Sequence, residues 1–75
     1  MILIIAGNYE QYTSYVAKHH LTPETHRYVF DMQSLLGLNV RAAEGYMVVG
    51  TIYQNPASTE LINKLERIGI PRIQT

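Results

Sequence analysis

Cysteine is absent, and with it go disulfide scaffolds, thiolate zinc sites and cysteine nucleophiles. Tryptophan is absent too, and charged residues make up only 16% of the chain. Neither sign prevails: six Lys plus Arg balance six Asp plus Glu, for a formal net charge of zero. Without net charge there is no global field to draw in nucleic acid or an anionic membrane, so neither is an expected partner. The apolar opening, Met1 to Ala6, has no basic flank and is far shorter than the roughly 20 residues of a membrane helix. It reads as a strand rather than a signal or an anchor. Neither G-x-G-x-x-G nor G-x-x-x-x-G-K-[ST] occurs, and no serine stands on a G-x-S-x-G elbow. The lack of cysteine fits a reducing compartment, so a cytoplasmic location is expected.

What is present is enough for one small domain. Hydrophobic residues are 47% of the 75, too many for a disordered tail. A chain this short buries only about 60–65% of the surface its unfolded form exposes, so modest stability and self-association are expected.

Ile2 to Ala6 is a continuous aliphatic run closed by Gly7-Asn8, the pattern of a strand covered on both faces. Asn8 reads as an N-cap with Gln11 in the capping-box position, followed by a helix to His20 whose stripe is Tyr12, Tyr15, Val16 and His19. Arg27 to Phe30 reads as a short edge strand, and Asp31 as the cap of a short helix stopped by a left-handed Gly37. Tyr46 to Tyr53 is the second strand apolar on both faces. Asn55-Pro56 then reads as a helix start; Leu61, Ile62, Leu65 and Ile68 form its apolar face, and Gly69-Ile70 a Schellman end. Arg72-Ile73-Gln74 reads as a last short strand. The order βαβαβαβ calls for an α/β domain of the doubly wound, three-layer type, flavodoxin-like or a miniature Rossmann arrangement. Its mainly parallel four-stranded sheet would have the order 2-1-3-4.

That order reverses direction between the first and third strands, so a ligand crevice would lie beyond their carboxyl ends. Its rim would be Gly7, Asn8, Tyr9, Asp31, Thr51, Tyr53, Gln54 and Asn55. Gly7-Asn8 at a strand-to-helix junction can offer free amides to a phosphate, although no lysine follows to meet its charge. The bland alternative is a turn and a cap. His19, His20 and His26 crowd together with Lys18 and Arg27, but neighbours on a helix point about 100° apart, and no partner ligands share their spacing. They read as a solvated helix end, with no metal and no cofactor expected. Six tyrosines offer rigid area with a polar tip suited to interfaces. Tyr12, Tyr15 and Tyr28 are expected to pack, and Tyr9, Tyr46 and Tyr53 are the candidates for exposed rings.

The opening Leu3-Ile4-Ile5-Ala6-Gly7-Asn8-Tyr9, the Tyr28-Val29 strand with its capped helix ending Leu36-Gly37-Leu38, and Val48 to Pro56 together resemble small α/β proteins encoded by bacteriophages of actinobacteria. The resemblance implies a compact nucleotide-fold-shaped domain of unassigned role and carries over no functional residues. The tyrosine-rich first helix and the long path from Asn39 to Gly45 depart from it. The functional expectation is a non-catalytic module that binds a protein in the host cytoplasm or assembles with itself. Self-association is expected through the flank of the last helix rather than the strand Arg72 to Thr75. The alternative is a small-ligand or nucleotide binder using the rim, and a third reading is an enzyme with an unrecognised site.

Overall fold

A computed structural model describes residues 1–73 of the chain. Three parallel strands form an open sheet: β1 (Ile2–Ala6), β2 (His26–Tyr28) and β3 (Gly45–Val49), in the order β2-β1-β3. Ile4 lies opposite Tyr28 on one side and Met47 on the other, which makes the most aliphatic run the central strand. The helices are α1 (Tyr9–Lys18), α2 (Met32–Leu36) and α3 (Ser58–Ile68).

Alternation along the strands divides the core in two. Ile4, Ala6, Met47 and Val49 face α1, where Tyr12 and Val16 pack on them. Leu3, Ile5, Val29 and Tyr46 face the other way, onto Leu35 of α2 and Leu61 and Leu65 of α3. Each β1 side chain from Leu3 to Ala6 is buried, so the continuous apolar run reflects a strand covered on both faces.

Several boundaries differ from those read in the sequence. The second strand runs His26–Tyr28 rather than Arg27 to Phe30, because Asp31 begins capping α2 immediately afterwards. The third strand stops at Val49 rather than Tyr53: Gly50 adopts a left-handed φ of +68°, and Ile52–Gln54 form a 3-10 turn. The last helix starts at Ser58, because the Asn55 side chain accepts from Ala57 N in a local turn instead of capping at Pro56. Its end is as read, with Gly69 at φ +94° and Ile70 N donating to Leu65 O. Gly37, in contrast, has a right-handed φ of −76°. Leu38, Val40 and Ala43 pack the path from α2 to β3 against the core through a 3-10 turn at Val40–Ala42.

Only a single parallel bridge, Tyr46 to Arg72, represents the expected fourth strand among the described residues; Gln74 and Thr75 lie outside them. No helix among these residues is long and apolar enough to cross a membrane.

Candidate functional site

The carboxyl ends of β1 and β3 meet at a glutamine. Gln11 sits in the first turn of α1, and its side-chain oxygen accepts from Gly7 N at 3.1 Å and from Thr51 N at 3.0 Å. Its side-chain nitrogen donates to Thr51 Oγ1. Of the capping box read in the sequence, only half exists: Asn8 Oδ1 accepts from Gln11 N at 2.9 Å, while the Gln11 side chain reaches across the sheet end. Space for this crossing comes from two glycines. A Cβ on Gly7 would stand 2.2 Å from Thr51 O, and one on Gly50 would stand 2.3 Å from Gln11 Oε1. Two of the amides that a phosphate would seek at the head of α1, those of Gly7 and Gln11, are thus already bonded within the chain.

The other rim residues are engaged to different degrees. Asp31 Oδ1 accepts from Ser34 N at 2.7 Å, and Ser34 Oγ lies within reach of Asp31 N, a complete capping box. Asn55 is buried; its Nδ2 donates to Ala6 O at 3.3 Å and to Phe30 O at 3.1 Å, tying the ends of β1 and β2 together. Asn8 Nδ2 donates to Gln54 Oε1 at 3.2 Å. Tyr9 and Tyr53 are open, at 63% and 80% exposure. Beside the rim, a depression of about 580 Å³ is lined by Asn8, Gln11, Tyr15, Gly50, Thr51 and Gln54 among others. Of the seven ligand candidates, Gly7, Asn8, Thr51 and Asn55 therefore take part in bonds that join one loop to another, and Asp31 caps its own helix.

The histidines are used separately. His19 lies with its ring centroid 4.3 Å from Tyr15, exposed rather than facing the sheet; His20 closes α1 at a left-handed φ of 55°; and His26 Nδ1 lies 2.9 Å from Thr25 Oγ1. Among the described residues no three His, Cys, Asp or Glu side chains gather as metal ligands would.

A different cluster emerges at the edge strand. Tyr12 and Tyr28 stack with centroids 4.9 Å apart and ring planes 18° from parallel. Tyr9 joins them at 6.0 and 5.7 Å, and Phe30 continues the row at 5.5 Å from Tyr28. Such spacings suit favourable aromatic pairs. Burial pushes the phenols of Tyr12 and Tyr28 above the usual tyrosine range; Tyr9 raises Tyr12 further and Arg27 lowers it. Tyr9 and Phe30, at 63% and 49% exposure, present the outer part of the row to solvent. Tyr46, an expected exposed ring, is instead fully buried, because its parity on β3 directs it under α3 with its hydroxyl 3.4 Å from Glu66 Oε1.

The backbone of this edge is bonded at its two ends. Thr25 O and Val29 N bond to β1, so the intervening alternate positions His26, Tyr28 and Phe30 face outward. His26 N donates to Thr22 O and His26 O accepts from Tyr12 Oη at 2.6 Å. Phe30 N donates to Ser34 Oγ, and Phe30 O accepts from Asn55. Of the three outward positions only Tyr28 keeps its N–H and C=O unbonded among the described residues, too little edge for strand addition, so the side chains are what the edge offers. The signal was legible as period: Tyr9 and Tyr12 share a helix face, and Tyr28 and Phe30 share a strand face. No family model matches this chain, and neither do the curated proteins or the solved structures compared with it.

Proposed function

We propose that this chain is a non-catalytic protein-interaction module that makes its contacts through the aromatic row Tyr9, Tyr12, Tyr28 and Phe30. The carrying observation is the exposure of Tyr9 and Phe30 on a rigid, stacked base. Aromatic side chains are enriched at protein interfaces, where they contribute area at little entropic cost. The rim residues tie loops together, and Asp31, the one carboxylate there, is occupied as a helix cap. The resemblance to phage-encoded proteins supports a partner in a host cytoplasm. The finer architecture belongs to the same proposal: the Tyr46–Arg72 bridge supports a fourth strand beside β3 and the doubly wound order 2-1-3-4.

The test is affinity capture with the wild-type chain beside a Tyr9→Ser/Phe30→Ser variant, counting a second copy of the chain as a possible prey. Proteins retained by the first and lost by the second are expected. Equal retention by both would remove the aromatic row from the account.

The depression beside Gly50 and Thr51 supports a second reading, a small-ligand or nucleotide site. A ligand at 100 times its dissociation constant stabilises by about 2.7 kcal/mol, so a thermal-shift screen with nucleotides decides it.

A further inference from the structure

We draw no further inference here: the strongest candidate, the aromatic face between α1 and β2 with the depression of about 390 Å³ beside it, carries none beyond the interaction reading, because nothing in the structure shows what covers it.

Discussion

Gln11 grips Thr51 from both directions, accepting its backbone N–H at 3.0 Å and donating to its hydroxyl, across forty residues of sequence. The same oxygen holds Gly7 N, so one side chain locks the β1 and β3 ends to the head of α1. Gln11→Ala leaves two part-buried amides without their acceptor and should cost about 2 kcal/mol, roughly 10 °C in Tm for a domain of this size. Gln11→Glu keeps the acceptor and should lose less. Thermal melts of the pair check the order, and equal losses would contradict it.

Glycine substitutions separate crowding from backbone conformation. Gly7→Ala drives a Cβ into Thr51 O and Gln11 Oε1 and should cost about 3 kcal/mol. Gly69→Ala meets nothing within 4 Å, so only its φ of +94° opposes it, at roughly 1–2 kcal/mol. Denaturant titration of both variants should rank Gly7→Ala as the more damaging.

Asn55 offers a test of polarity without a change of shape. Asn55→Asp keeps the acceptor for Ala57 N but sets a carboxylate against the carbonyls of Ala6 and Phe30 in a buried position, where Asn55→Ala leaves all three groups unpaired. The aspartate should be the worse variant near neutral pH, by about 1–3 kcal/mol relative to alanine. Its deficit should shrink on acidification as the carboxyl gains a proton. A pH-independent difference between the two would contradict the assigned bonds.

Alkaline stability follows from Tyr46. Its phenol is held above the ordinary tyrosine value of 10.0, first by burial and then by the neighbouring Glu66 carboxylate, with Arg72 acting the other way. Below pH 10.0 the phenol is neutral in both folded and unfolded chains. Between that value and the raised folded one, the unfolded chain releases the proton first, so stability falls as pH rises. Tyr46→Phe should flatten the decline in Tm above pH 10.0, leaving the share due to Tyr12 and Tyr28. An unchanged slope would show that Tyr46 ionises freely.

Local chemistry made much of the fold legible. The aliphatic run Ile2 to Ala6, the Asp31 cap and the Gly69-Ile70 ending each carry their instruction within a few residues, and each is realised. The rim positions were legible for the same reason, since they follow from strand ends. Their occupation was not, because Gln11 reaches Thr51 forty residues on, and Asn55 reaches Phe30 and Ala6, twenty-five and forty-nine residues back. Tyr46 shows the same limit: whether a ring on β3 is covered depends on where α3 packs, which no window around residue 46 contains. The aromatic row joins two elements that become neighbours only through parallel pairing of β1 with β2.

The central claim is that the aromatic face between α1 and β2 is the surface through which this chain meets a protein partner. Amide and aromatic NMR shifts of the wild-type chain, recorded alone across a dilution series and with a captured protein added, test it most directly, because they report position as well as association. Shifts centred on Tyr9, Tyr12, Tyr28 and Phe30 are predicted. Shifts centred instead on Ile68 or on Gly50 and Gln54, or none at any residue, would contradict it.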